Sequence, residues 1–230
     1  MTRAAPFSPA AVLQGLLALA LALMLTACST TRQTRSVEPS GFLGSYARLR
    51  PGSGDQAQLV YINPAADFSQ YSAVMIDSVT LWQSSSTSKI STEDQQALTD
   101  YLYAALHDQL GEDYRIVDAP GPGVMRLRAA ITEAKGAKVV SNAVTTAVPQ
   151  ARLLTTMGGT AADTTVMVAK AGIEAEITDA MTGARLAAAV DERAGTKTFR
   201  GGLGKWSRVQ ESFNFWAERL RMRLKELRAR

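Results

Sequence analysis

Residues 124–133 of this chain read Val-Met-Arg-Leu-Arg-Ala-Ala-Ile-Thr-Glu, and residues 172–179 read Gly-Ile-Glu-Ala-Glu-Ile-Thr-Asp. In both stretches apolar side chains alternate with polar ones, a period of two that is typical of a β-strand with one face in the core. The Arg-x-Arg of the first stretch and the Glu-x-Glu of the second would form opposite-charge pairs across adjacent strands. We therefore predict that the two strands are neighbours in one sheet.

Further strands are expected on either side of this pair. Residues 71–81 form an apolar run that predicts a strand buried on both faces, and residues 59–62 are typical of a short edge strand. The turn sequence of residues 179–183 and the alternation over residues 185–193 predict a β-hairpin. Residues 40–49 contain two glycines among aromatic and apolar residues, so we expect a short turn or extended arm that packs on the domain.

Two amphipathic helices complete the predicted fold. The first begins after the N-cap residue Ser91 and ends at Gly111, and the second runs from Trp206 to Leu227 with apolar residues at steps of three and four. Trp206 and Trp216 are expected to pack in the core, although they could also stack a ligand. The element order predicts a single α+β domain over residues 41–230: a mixed, mainly antiparallel β-sheet with two amphipathic helices packed on one face.

The first 27 residues are predicted to be a signal peptide that is removed. Arg3 is their only charged residue, and residues 11–25 are almost purely apolar. This run is shorter than the roughly 20 residues that a helix needs to span a bilayer. Residues 25–28 read Leu-Thr-Ala-Cys and resemble the lipobox of bacterial lipoproteins.

The lipobox resemblance implies that Cys28 is lipidated and becomes the first residue of the mature protein. Three acyl chains would exceed the two signals that stable membrane anchoring needs. Ser29 stands where enteric bacteria use Asp as a retention signal, which implies a lipid-anchored outer-membrane protein that faces the periplasm. Residues 28–40 are rich in Ser, Thr and Arg and are expected to form a flexible tether.

The composition disfavours several classes of function. One Cys and one His cannot form an internal disulfide or a structural zinc site, and we expect no metal and no cofactor. The formal net charge is only +4, and basic residues do not alternate with aromatic ones, so nucleic acid is not an expected partner. The Gly-x-Ser-x-Gly motif is absent from the sequence, and we predict that the protein is not an enzyme.

Few titratable residues are candidates for catalysis. His107 lies on the first predicted helix, where a lone His is typical of a solvated surface. Asp77 and the pair Glu174 and Glu176 are the best carboxylate candidates for a small hydrolase. Cross-strand charge pairing explains the two glutamates, and we expect Asp77 to make a hydrogen bond at a strand end.

The connection over residues 139–162 is long, and Arg152 is its only charged residue. Loops of this length inside a compact domain are usually functional or mobile. Three roles remain open: a partner-binding loop, a membrane-contacting hairpin, or a small extra helix around residues 150–157 that fills a groove. For the first role the candidate partner-binding residues are Val148, Pro149, Arg152, Leu153 and Leu154.

Four segments together resemble a bacterial lipoprotein family catalogued as domain of unknown function 3313. They are residues 40–49 (Ser-Gly-Phe-Leu-Gly-Ser-Tyr-Ala-Arg-Leu), residues 120–132, residues 174–183, and Trp206 with the Phe213-x-x-Trp216-Ala217 pattern. The resemblance covers nearly all of the mature chain; Ser45 departs from it, since Asp is expected there. It implies a location and a fold but no catalytic residues. More distantly, the element order resembles the curli secretion channel family and the auxiliary lipoproteins of lipid-transport systems, an analogy at the level of fold.

The sequence thus predicts a non-catalytic binding or assembly module of the bacterial cell envelope. Its expected partners are the membrane, through acyl chains on Cys28, and either another envelope protein or further copies of itself. The alternative function is a homo-oligomeric lipoprotein that resembles a secretion channel and whose connection enters the membrane. Residues 139–157 do not alternate well enough for membrane-spanning strands, which need about ten alternating residues each.

Overall fold

A mixed β-sheet with two helices on one face forms the body of the domain. The computed structural model describes residues 31–82, 87, 89–136, 169–195 and 204–230. Within these residues the strands are β1 (Thr31–Gln33), β2 (Arg50–Pro51), β3 (Leu59–Ile62), β4 (Ala73–Ile76), β5 (Thr80–Leu81), β6 (Arg115–Ile116), β7 (Val124–Lys135), β8 (Lys170–Asp179) and β9 (Arg185–Gly195). The helices are α1 (Thr92–Gly111) and α2 (Ser207–Arg228), and a short 3-10 turn covers Phe68–Gln70.

The strands follow the order β2-β3-β9-β8-β7-β4-β6, with β1 beside β9 and β5 beside β7. Strands β1, β2, β3, β7, β8 and β9 pair antiparallel to one another, whereas β4, β5 and β6 join the sheet in parallel. Both helices share one apolar core with the sheet. This architecture confirms the predicted α+β fold with a mixed, mainly antiparallel sheet and two helices on one face.

Strands β7 and β8 are sheet neighbours, as their sequences predict. Arg128 lies opposite Glu176, and the Nη1 atom of Arg128 is 2.6 Å from Oε1 of Glu176. The second expected cross-strand pair does not form, because Arg126 turns to Asp77 and donates to its two carboxylate oxygens at 2.9 and 2.7 Å. Asp77 follows β4, so this ion pair is the contact that it makes at the strand end.

A tight turn closes the predicted hairpin between β8 and β9. The Oδ1 atom of Asp179 accepts hydrogen bonds from the backbone N–H groups of Met181 at 3.0 Å and Thr182 at 2.7 Å. Gly183 has a φ of +71°, a conformation that favours glycine. The hydroxyl of Tyr71 donates to the other oxygen of Asp179 at 2.9 Å and so fastens the turn to the segment that precedes β4.

The two helices follow the predicted periodic patterns. Helix α1 starts directly after Ser91, whose Oγ accepts a hydrogen bond from the N–H of Asp94 at 3.2 Å. Its buried face carries Leu98, Leu102, Leu106 and Leu110. In α2 the rings of Phe213 and Trp216 stack 6.0 Å apart in the same core, which confirms the predicted core packing of Trp216.

Residues 37–49 form an arm on the opposite face of the sheet. The arm buries Phe42, Leu43 and Leu49 against a small apolar patch on β7 and β9. Removing such side chains from water is worth about 1.5–3 kcal/mol each. The expected packing arm is therefore present, and it covers the second face of the sheet.

Part of the segment that we expected to be a flexible tether is a strand. Residues 31–33 form β1, which pairs antiparallel with residues 193–195 of β9. These residues, Thr-Arg-Gln, carry no alternating apolar pattern, so the pairing with β9 rather than local sequence determines the strand. The sheet therefore extends to within three residues of Cys28.

Glu174 holds the arm to the sheet. Its side chain is completely buried on β8, where an ionised carboxylate is costly unless donors surround it. The carboxylate accepts hydrogen bonds from the backbone N–H of Ser40 at 2.5 Å, the N–H of Leu43 at 3.4 Å and the hydroxyl of Tyr46 at 2.6 Å. Burial, together with the bond to Glu174, raises the pKa of the Tyr46 hydroxyl. The arm and the buried carboxylate thus depend on each other.

The substitution Glu174→Gln is expected to loosen the arm. The amide offers one acceptor oxygen in place of two and loses the charge, so we expect the free energy of unfolding to fall by about 2–3 kcal/mol. The backbone amides of Ser40 and Leu43 should exchange with solvent faster, because they lose their acceptor. Urea unfolding and hydrogen exchange measure these two effects.

Asp77→Asn is the matched control, because Asp77 is also a paired carboxylate but lies away from the arm. Its partner Arg126 is 46% exposed, and exposed ion pairs contribute only about 0–1 kcal/mol. We expect a small change in stability and no change in exchange at the arm. If the arm amides of Glu174→Gln exchange as slowly as those of the control, Glu174 does not hold the arm.

Candidate functional site

An apolar cavity of about 150 Å³ lies between α2 and the sheet. Its floor includes three alanine side chains from β8 and β9, namely Ala175, Ala187 and Ala189. Its walls include Ile62 of β3 and Phe215, Leu220 and Leu227 of α2.

The cavity has two causes. The side chains beneath α2 are short, and α2 does not reach the edge of the sheet. Helix α2 packs against α1, β8 and β9, whereas β3 lies one strand further out. The alanine methyl groups of the floor are too short to fill the space below α2, and all three alanines are only half-buried although they lie on inner strands. Larger residues at these positions would close the gap.

Charged side chains surround the mouth of the cavity. Asp55, from the connection between β2 and β3, forms ion pairs with both Arg219 and Arg223 of α2. Arg223 also binds Glu226 at 2.7 Å, and the guanidinium of Arg219 lies 5.4 Å from the ring centroid of Phe215. The Nε atom of Arg223 is buried and has no hydrogen-bond partner among the described residues. The mouth therefore holds a donor that lacks an acceptor.

Asp191 on β9 also lines the cavity and is almost completely buried. Its carboxylate accepts hydrogen bonds from Nε1 of Trp216 at 2.7 Å, Nε2 of Gln33 at 2.5 Å and the backbone N–H of Gln58 at 3.1 Å. Burial raises the pKa of Asp191, and these three donors and the charge of Arg193 oppose that shift. The carboxylate thereby joins α2, β1 and the start of β3.

Arg193 is the second buried charge of this region. Its guanidinium lies 3.7 Å from the ring centroid of Phe215 and donates to the backbone oxygen of Thr31 at 2.7 Å. Burial lowers the pKa of Arg193, and the neighbouring Asp191 opposes the shift. The pair thus fastens the chain segment at residue 31 beside the first half of α2.

The buried charged groups of this region are engaged in structural contacts. Both oxygens of Asp191 already accept hydrogen bonds, and the cavity lining is otherwise almost entirely apolar. Among residues 31–82, 87, 89–136, 169–195 and 204–230, no group of three or more His, Cys, Asp or Glu residues could hold a metal ion. No helix in the same ranges combines the length and apolar character that crossing a membrane requires.

The candidate functional residues from the sequence analysis do not lie together at the cavity. Glu174 binds the arm and Glu176 binds Arg128 and Arg185, both on the opposite face of the sheet, and Asp77 is paired with Arg126. His107 is half exposed on α1, with Nδ1 3.7 Å from Asp108. Cys28 and the candidate partner-binding residues Val148, Pro149, Arg152, Leu153 and Leu154 lie outside the described residues.

Sequence reasoning missed the cavity, its arginines and the buried pair on β9. One signal was available: Asp191 and Arg193 continue an alternating strand as charged residues at neighbouring inward positions. The run Ala187-Ala188-Ala189 also marks a strand with little side-chain volume. The sequence does not indicate that α2 covers this strand; only the packing of α2 in the structure shows it.

The fold and the cavity define a single-domain α+β protein whose C-terminal helix covers an apolar cavity on a mixed sheet. Residues 38–220 match the family model described as protein of unknown function (DUF3313), and the chain belongs to this family. The match confirms the family that the four sequence segments indicate. No curated protein sequence matches the chain.

Among solved structures the chain is similar to the PelC dodecamer from Paraburkholderia phytofirmans. A point variant of PelC in space group C2 has 18% sequence identity and a TM-score of 0.40, and PelC in space group P6 has 17% identity and a TM-score of 0.39. Each alignment covers 70% of this chain and 94% of the PelC chain. Similarity at this level does not assign a function.

The substitution Trp216→Phe is expected to destabilise the protein in a pH-dependent way. It removes a donor that lowers the pKa of Asp191, so that pKa rises further above its value in the unfolded chain. A carboxyl group with a raised pKa stabilises the fold at low pH, and this stabilisation is lost as the pH rises through the folded-state pKa. We expect a loss of about 2–3 kcal/mol at pH 7 and a smaller loss at pH 4.

Urea unfolding between pH 4 and pH 7 measures this dependence. In an Asp191→Asn background the residue at position 191 no longer titrates, so Trp216→Phe should cost the same at every pH. An equal cost of Trp216→Phe at pH 4 and pH 7 in the wild-type background would contradict the coupling between Trp216 and Asp191.

Proposed function

We propose that the protein is an outer-membrane lipoprotein, anchored through Cys28, whose periplasm-facing domain acts as a non-catalytic binding or assembly module of the cell envelope. The sequence Leu-Thr-Ala-Cys at residues 25–28, after an apolar run, supports the anchor. The apolar cavity below α2, lined by hardly any polar groups, supports a binding role rather than a chemical one.

The observation that carries the proposal is the position of β1. Thr31 pairs with Gly195 at the end of β9, and it is only the third residue after Cys28. Three extended residues span about 10 Å. Acyl chains on Cys28 would therefore hold this end of the sheet, which we call the anchor end, close to the membrane surface.

The long connection starts and finishes at the same anchor end. Lys135 and Lys170 are paired residues of β7 and β8, so the chain between them leaves and re-enters the sheet at neighbouring positions. We propose that this connection, with Val148, Pro149, Arg152, Leu153 and Leu154, contacts a partner in the envelope. Lys135 and Lys170, from which the connection leaves the sheet, lie at the anchor end, which suits a partner that is itself held at the membrane.

Cys28→Ser is expected to abolish anchoring. The wild-type protein should sediment with outer membranes, and mass spectrometry of its N-terminal peptide should show the added acyl chains. Cys28→Ser should appear in the soluble periplasmic fraction. Ser29→Asp is the matched variant, which should remain acylated but move to the inner membrane of an enteric host. An unacylated wild-type peptide would disprove the anchor.

Deletion of residues 139–162 is expected to leave a folded domain that no longer assembles. The sheet should persist, because the ladder from Lys135 and Lys170 onward does not depend on the deleted residues. Thermal unfolding tests the fold, and the native mass after gentle extraction from membranes tests assembly.

Serine at the five candidate residues, with the length unchanged, is the control for chain shortening. We expect it to reduce the native mass as the deletion does. A complex of unchanged mass in both variants would contradict a partner role for the connection. Identifying the subunits of the complex distinguishes a different envelope partner from further copies of this chain. A complex that contains this chain alone, with a mass that is a multiple of the monomer mass, supports the homo-oligomeric alternative.

A further inference from the structure

We propose that the cavity below α2 binds one acyl chain of an amphiphile with an anionic head group. The chain occupies the space between α2 and the alanine floor, and the head group binds Arg219 and Arg223 at the mouth. This inference goes beyond the proposed anchoring role and does not require acylation of Cys28.

The cavity suits a slender apolar ligand. Its floor of Ala175, Ala187 and Ala189 leaves a space of about 150 Å³, and its walls are aliphatic and aromatic. Apolar cavities of this size accept apolar guests about as large as benzene. The cavity therefore holds a stretch of about six carbon atoms, and the remainder of a longer chain would extend toward the mouth.

The mouth selects an oxygen acceptor. Nη2 of Arg223 binds Asp55 and Nη1 binds Glu226, but its Nε is buried without a partner among the described residues. A carboxylate or phosphate can bind the Nε and Nη2 atoms of one guanidinium together. Such a head group would satisfy the Nε donor that no described residue reaches.

Asp55 occupies the position that a head group would take. It binds both Arg219 and Arg223, and its side chain is 51% exposed. It belongs to the connection between β2 and β3, next to Gly54, so its carboxylate can leave the arginines without disturbing a strand. An incoming anion would replace one carboxylate with another.

The one other carboxylate that lines the cavity does not favour a cationic ligand. Asp191, the buried carboxylate that lines the cavity, already accepts hydrogen bonds from Trp216, Gln33 and Gln58. A fatty acid and a lysophospholipid share the chemistry that fits, namely one chain and an anionic oxygen head.

Calorimetric titration of the unacylated Cys28→Ser chain tests the proposal without interference from its own acyl chains. The probes are decanoate, decanol and lysophosphatidylglycerol, each below its micelle concentration. We expect one saturable site that binds decanoate at least tenfold more tightly than decanol. The affinity for lysophosphatidylglycerol relative to that for decanoate shows whether the site prefers a phosphate or a carboxylate head group.

Three variants assign the site. Ala187→Leu fills the cavity and should weaken decanoate binding at least tenfold, whereas Ala184→Leu, which adds the same bulk to the exposed turn before β9, should leave it unchanged. Arg223→Gln should weaken decanoate binding but not decanol binding. Thermal unfolding verifies the fold of each variant, and Ala189→Leu replaces Ala187→Leu if the latter is unfolded.

Absence of saturable decanoate binding to the Cys28→Ser chain would overturn the proposal. Decanoate binding that survives in the folded cavity-filling variant would also overturn it, because the ligand would then lie elsewhere. Equal affinity for decanoate and decanol would overturn the role of the two arginines.

Discussion

The buried carboxylate of Glu174 is the constraint on which the two-sided packing of the sheet depends. A charge at this depth requires donors, and the residues paired with Glu174 on the neighbouring strands, Ala130 and Val190, have no side-chain donor. The arm supplies two backbone N–H groups and a hydroxyl. Once the arm is fixed there, Phe42, Leu43 and Leu49 cover an apolar patch that would otherwise face water. One acidic residue thus specifies where a segment about 130 residues earlier in the chain must lie.

The elements that sequence reasoning predicted are those with a pattern of their own. Alternation identified β7 and β8, and the 3.6-residue period identified α1 and α2. Strand β1 has no such pattern, since Thr-Arg-Gln becomes a strand only beside β9, and the parallel position of β4 next to β7 likewise depends on tertiary packing. The charge-pair argument predicted the correct neighbours but only one of two pairs, because Asp77 competes for Arg126.

The candidate site was harder to predict because it is a cavity formed by residues that lie far apart in the sequence, and not a sequence motif. Its floor combines Ala175 with Ala187 and Ala189 from the next strand, and its mouth combines Asp55 with arginines more than 160 residues later. No spacing in the sequence connects these positions. The carboxylates that looked most reactive, Asp77 and Glu176, instead neutralise arginines, whereas the buried Asp191 resembled an ordinary residue of an alternating strand.

The two ends of the domain differ in the chain segments that begin or end there. Thr31, Gly136, Ala169 and Gly195 all lie at the anchor end, where Gly136 and Gly195 contact the residues that begin α2. Helix α2 then runs for 22 residues, a length of about 33 Å, so the C-terminus at Arg230 lies at the far end of the domain. A reporter fused after Arg230 would therefore project away from the anchor end of the domain.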